Sequence, residues 1–182
     1  MKKTIALAAN LLVTVVLFAT TATAQSVSWQ QIIGIIPAGN VVGSGTGKIT
    51  GGFLPWSTTS GSAQVNLKTG EIEFKVRGLV FAGAAPGVLL GAATPVTAVK
   101  GTLVCDADGS AGGGNSVIVE TPSVPLTESG DAEFSGNIAP LPAVCSSEPD
   151  IVFVVRASAF NGTAREGPWI ANGAAITRDH AE

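Results

Sequence analysis

The chain predicts an all-β domain, an antiparallel β-sandwich or partly closed barrel of about eight strands preceded by a signal-peptide helix, on three observations. Apolar and polar residues alternate with period two over Ala63 to Leu79. Turn formers are dense, with 23 Gly and 10 Pro in 182 residues and no Tyr. Beyond the leader no segment carries a convincing amphipathic helical period, and no repeat of fixed length emerges.

The leader comes first. Lys2 and Lys3 precede an apolar run from Ile5 to about Ala19, and Ala22-Thr23-Ala24 supplies the small-residue pattern of a cleavage site. Residues 1–24 therefore read as a signal peptide and 25–182 as a single β-sandwich domain, large enough for a real core. An uncleaved anchor fits less well, because the apolar run is shorter than the roughly 20 residues of a spanning helix. The reading places the protein in the periplasm or outside the cell, with no membrane span after cleavage.

In chain order, Ile32 to Ile36 form a short apolar run stopped by Pro37, a strand or a turn or two of helix. Asn40 to Ile49 is Gly-rich and reads as a strand with close backbone approach or a bulge. Its GSGTGK invites comparison with a phosphate loop, but the spacing is wrong and Lys48 is followed by Ile49 rather than by Ser or Thr. The strongest element is the hairpin: Ala63, Val65 and Leu67, then Ile72, Phe74 and Val76, share one face. A connection centred on Thr69-Gly70 sets Leu67 opposite Ile72, Val65 opposite Phe74 and Ala63 opposite Val76, with Gly70 at positive φ.

Leu79 to Thr94 reads as a long loop, Val96 to Asp106 as a strand, Val117 to Glu120 as a short buried strand, and Pro122 and Pro125 as marks of an edge or loop. Asp131 to Ile138 alternates again with Ala132, Phe134 and Ile138 inward. Ile151 to Val155 is a continuous apolar run, the expected central strand, and Trp169, Ile170 and Ile176 belong to a closing strand.

Cys105 and Cys145 are the two cysteines, and export would carry them to an oxidising compartment, so one disulfide is expected. Closing that loop stabilises by about 4 kcal/mol on chain-entropy reasoning. Without the leader, eight Lys and Arg face thirteen Asp and Glu. This acidic balance, with no dense basic run, argues against nucleic acid and anionic membrane as partners.

Candidate chemistry is sparse. Asp106-Ala107-Asp108-Gly109 with Asn115 resembles the start of a calcium loop, yet Ser110, Ala111 and Val117 stand where a helix-flanked loop needs its fifth, sixth and twelfth residues. A solvated turn is the simpler reading. His180, near the end, is the only His, which removes Ser-His and Cys-His pairs as well as a metal set with the cysteines. Two facing carboxylates among Glu71, Glu73, Glu120, Glu128, Asp131, Glu133, Glu148, Asp150 and Glu166 would suffice for a glycosidase, with nothing to rank one pair above another. Trp29, Trp56 and Trp169 are either a ligand platform for stacking on sugars or core packing. Asn161-Gly162-Thr163 matches a glycosylation acceptor.

The strings GEIEFKVRGLV, PVTAVKGTLVCD, VPLTESGDAEFSG and PLPAVC resemble a family of uncharacterised exported bacterial β-rich proteins, and together span most of the chain after the leader. That resemblance implies an exported β-rich domain without implying a reaction. Glu71 to Leu79 is also similar to the hairpin and following Gly-Leu of chordin-type (CHRD) secreted β-sandwich domains. Such domains commonly carry His after the hairpin, and Pro95 to Cys105 has none, so this likeness extends to the fold and not to a metal or dismutase-like role. The functional expectation is an exported, non-catalytic domain without a cofactor that binds an extracellular ligand or protein or serves in the envelope. A carbohydrate-binding module and a carboxylate-dependent extracellular hydrolase are the alternatives.

Overall fold

A computed structural model describes residues 26–36, 39–83, 90–111, 113–138, 140–147 and 150–179. The leader, Glu148 and His180 lie outside them. The strands are β1 (Ser26–Gly34), β2 (Val41–Val42), β3 (Ile49–Thr50), β4 (Trp56–Ser57), β5 (Ser60–Asn66), β6 (Glu71–Arg77) and β7 (Val80–Phe81). They continue as β8 (Val96–Cys105), β9 (Val117–Glu120), β10 (Val124–Pro125) and β11 (Ala132–Asn137). One helical turn, α1 (Val144–Ser147), precedes β12 (Val152–Phe160), β13 (Thr163–Ala164) and β14 (Trp169–Asp179).

The main sheet runs β10-β8-β12-β14-β1-β5-β6-β11, antiparallel throughout, with β9 added to β8 and β13 to β12. Of the two expected architectures it is the partly closed barrel: the twist of a single long sheet curls it into a half-barrel and brings β10 against β11. Its interior is filled by rings from opposite sides of the curl. Phe153 of β12 lies 5.5 Å from Trp29 of β1 and 5.8 Å from Phe74 of β6, measured between ring centroids. These rings press on the backbone at two glycines: a Cβ at Gly101 of β8 would stand 2.7 Å from the Phe74 ring, and one at Gly173 of β14 would stand 2.6 Å from Trp29.

The hairpin β5–β6 keeps the predicted face but not the predicted register. Val65 pairs with Ile72, Ala63 with Phe74 and Gly61 with Val76, a shift of two residues. The cause is Asn66, whose Oδ1 accepts the amides of Lys68 and Thr69 at 3.0 Å each while its carbonyl accepts Gly70 N–H at 2.9 Å. This widens the turn, and Gly70 still takes φ +76°. Because the shift is even, every inward residue stays inward, and Leu67 leaves the ladder yet remains buried.

Other expectations are refined. Asn40 to Ile49 is the hairpin β2–β3 around a 3-10 turn, Gly45–Gly47, rather than one strand. Within the expected loop after Leu79, β7 pairs with β4. β9 is half-buried rather than buried, because it adds to the outer side of β8. β12 is central as expected, bonded to β8 and β14, with Phe153, Val154 and Val155 buried in succession. The closing strand with Trp169, Ile170 and Ile176 is β14, in which Ile176 is exposed: it follows Ala175, whose φ of +53° breaks the alternation. Cys105 and Cys145 form the disulfide, Sγ–Sγ 2.07 Å, tying the end of β8 to α1. Among the described residues no helix is long and apolar enough to cross a membrane.

Candidate functional site

The three tryptophans are core. Trp29 and Trp56 are each 2% exposed and Trp169 is 4% exposed, so of the two readings core packing holds and the ligand platform on these residues does not. Each indole faces inward from a strand: Trp29 packs on Phe153, Trp56 on Phe81 at 3.9 Å between centroids, and Trp169 donates Nε1–H to the Asn40 carbonyl at 3.2 Å.

The aromatic side chain that does face water is Phe53, 82% exposed. It sits in the bend between β3 and β4, where Gly51 N–H bonds the Asn40 carbonyl and Gly52 N–H the Trp169 carbonyl. These bonds hold the bend against β14. Phe53 forms one wall of a groove of about 570 Å³, whose other side is Phe160 and the segment Arg165 to Pro168. An apolar hollow of about 160 Å³ continues from it, shared through Phe53, Phe160 and Pro168 and floored by Trp56, Ala157 and Ile170. Trp56 thus lies beneath the groove, in the floor of that hollow. The sequence signal for Phe53 was a large ring inside a turn, GGFLP, where packing against a sheet is hard to arrange.

Charge around this groove is unevenly matched. Glu120 of β9 accepts Lys100 Nζ at 3.0 Å and an Arg156 guanidinium N–H at 2.7 Å. Glu166 adds longer pairs, 3.7 Å to Lys100 and 3.5 Å to Arg156. Burial pushes the Glu120 carboxyl up, but the Lys100 hydrogen bond and the Arg156 charge outweigh it and hold it below the usual carboxylate range. Arg156 is also fixed through Nε–H to the Gly167 carbonyl at 3.0 Å. The four charges of this network balance. Lys48 and Arg165, on the same groove, have no ion-pair partner among the described residues. Arg165 lays its guanidinium over the Phe160 ring, 4.8 Å from the centroid.

The calcium-like loop gives a different picture from the one its spacing suggests. Asp106 and Asp108 are joined by Asp150, with one carboxylate oxygen of each within 4.8 Å of the others. Asp108 N–H donates to Asp150 Oδ2 across 42 residues, a partner that local spacing cannot show. Ser110, by backbone and side-chain hydrogen bonds, holds Asp108 below its ordinary carboxylate range. Asp106 is buried and accepts Ala111 N–H, while Asp150 Oδ1 is buried without a hydrogen-bond partner among the described residues. Three hard oxygen donors of this kind suit a calcium ion but make up only part of its six to eight ligands. Asn115 is not among them, because its Oδ1 accepts Thr46 N–H at 2.8 Å.

That bond also answers the GSGTGK comparison. Ser44 N–H donates to Ser116 Oγ at 2.7 Å, so the amides at 44 and 46 already bond side chains of the neighbouring loop. The remaining candidates are placed structurally. Glu71 and Glu73 border a polar hollow on the outer face of the hairpin, and Glu133 pairs with Arg77 at 2.6 Å. Arg77's hydrogen bond and charge hold Glu133 below the usual range. Asp131 accepts Gly78 N–H, and Asn161 of the glycosylation triplet sits in the exposed turn between β12 and β13.

No protein-family model, curated protein or solved structure matches this chain.

Proposed function

We propose that this chain is an exported, non-catalytic binding domain, and that the groove between Phe53 and Phe160 is where it holds its ligand. The observation that carries the reading is Phe53, 82% exposed at the wall of a concave site that Arg156, Arg165, Glu166 and Lys48 also line. An aromatic ring held in water by a hydrogen-bonded bend forgoes the roughly 2–3 kcal/mol that burial would supply, and a ligand surface restores it. Support for export comes from the leader pattern, from the Cys105–Cys145 bond and from the resemblance to exported bacterial β-rich proteins. The volume of the groove lies in the range of small-ligand sites, and its polar rim supplies orientation.

The test compares the purified protein with Phe53→Ala for retention on immobilised envelope and extracellular-polymer fractions. Retention lost in the variant, whose melting is unchanged by circular dichroism, supports the groove. Equal retention of both proteins sinks it. Release of new reducing ends or peptides from the polymer during incubation would sink the non-catalytic part.

A further inference from the structure

We infer that the ligand of this groove is an acidic polysaccharide, a chain of pyranose rings bearing carboxylates, with a ring face against Phe53 and a carboxylate between Arg165 and Lys48. The inference rests on the groove being the binding site and adds the class of ligand.

Charge supplies the first argument. The protein carries a formal net charge of −3, so its general field repels anions. At the groove the sign is reversed locally: Lys100, Arg156, Glu120 and Glu166 neutralise one another, and Lys48 and Arg165 are left over among the described residues. Two unmatched cations on one apolar groove complement a sparse anion. A nucleic acid, with a phosphate at every residue, would meet the acidic remainder of the surface.

Arg165 is the better placed of the two. Its guanidinium lies over Phe160, 4.8 Å from the ring centroid, which limits its freedom, and a guanidinium can meet a carboxylate with two parallel hydrogen bonds. Lys48 acts as a point charge from the end of the 3-10 turn.

The backbone supplies the second argument. An extended peptide gains affinity by adding to a free sheet edge. Here Gly52 N–H is bonded to the Trp169 carbonyl and Gly167 N–H to the Ala157 carbonyl, so at these positions the walls offer side chains rather than an open ladder. Recognition through an exposed ring and a fixed cation suits a sugar, whose C–H face packs on an aromatic ring while its carboxylate reaches the rim.

The test is isothermal titration of the purified protein with four probes: oligogalacturonate, its methyl ester, a neutral cello-oligosaccharide and poly-L-glutamate. Oligogalacturonate is expected to bind, and to weaken as salt rises. Arg165→Gln and Phe53→Ala are each expected to weaken it on the order of tenfold, and Lys48→Ala by less. Lys68→Ala, on the far hairpin turn, is the control and should change nothing. Equal binding of the methyl ester or the neutral oligosaccharide, lost in Phe53→Ala, overturns the acidic assignment and leaves the groove standing as a binding site. Binding of poly-L-glutamate as tight as that of oligogalacturonate transfers the site to an acidic peptide and overturns the glycan. A dimer in sedimentation that Phe53→Ala dissociates assigns the groove to a second copy of the chain and also overturns the proposal. Absence of heat with every probe overturns the ligand class, while the retention assay separately decides the groove.

Discussion

Phe74 and Phe153 lie inside the half-barrel, whereas Phe53 and Phe160 lie on the groove at its flank, and the same side chain does opposite work in the two places. Inside, Phe74 comes from β6, whose period-two alternation leaves it no choice of face, and Phe153 from β12, which is covered on both faces, and the rings meet 5.8 Å apart between centroids. At the groove, Phe53 comes from a bend whose direction is set by hydrogen bonds to Asn40 and Trp169 rather than by its own burial. The difference teaches that a ring in an alternating strand reports packing, while a ring held in water by a fixed bend reports contact with something else.

Substitutions can break or sharpen this contrast. The largest effect belongs to the interior: Phe153→Ala should lower unfolding free energy by about 3–5 kcal/mol in urea titration, since it opens a cavity between Trp29 and Phe74. A loss under about 1 kcal/mol would show that the interior is not close-packed there. Next, replacing both Cys105 and Cys145 with Ala should cost up to about 4 kcal/mol, because the bond closes a loop of 40 residues in sequence separation. An unfolding midpoint unmoved by reductant would contradict it.

On the groove rim, Glu120→Gln should cost about 1–3 kcal/mol, as it leaves Lys100 and Arg156 without their nearer partner. Its pH dependence has a defined sign. The folded state holds Glu120 below its ordinary range, so its contribution is present above the unfolded value of about 4.3 and is lost as pH falls through the folded one. Glu120→Gln should therefore lose less stability than the parent between pH 5 and acid denaturation, an expectation that urea midpoints at about five pH values would check. Identical slopes would remove Glu120 as a source. Arg77→Ala on the hairpin should cost about 0–1 kcal/mol, because its pair with Glu133 is solvated. Smallest of all, Phe53→Ala should leave stability within about 0.5 kcal/mol while weakening ligand binding on the order of tenfold. A large loss of stability would instead make Phe53 a packing residue.

Much of the interior was legible in the chain. Alternation identified the faces of β5 and β6, the run Ile151 to Val155 marked a strand covered on both sides, and the two cysteines had each other as partners. The register of the hairpin was legible only to within an even shift, since Asn66 competes for the turn amides through a side-chain bond that alternation does not encode. The tryptophans were ambiguous for a related reason. An indole fits core and surface alike, and its fate depends on which strand lies opposite.

What the sequence determined by itself is the all-β class, the faces of the regular strands and the pairing of Cys105 with Cys145, because these depend on local periodicity and on a count of two. Only the tertiary structure decided that the sheet curls into a half-barrel instead of splitting into a sandwich, and that Asp150 joins Asp106 and Asp108. It alone set Phe53 beside Phe160, with Lys48 and Arg165 left without an ion-pair partner among the described residues. The physical reason is distance along the chain: Lys48 and Phe53 reach Phe160 and Arg165 only through the closure of β14 between β12 and β1, and no local pattern records a contact made by closing a sheet.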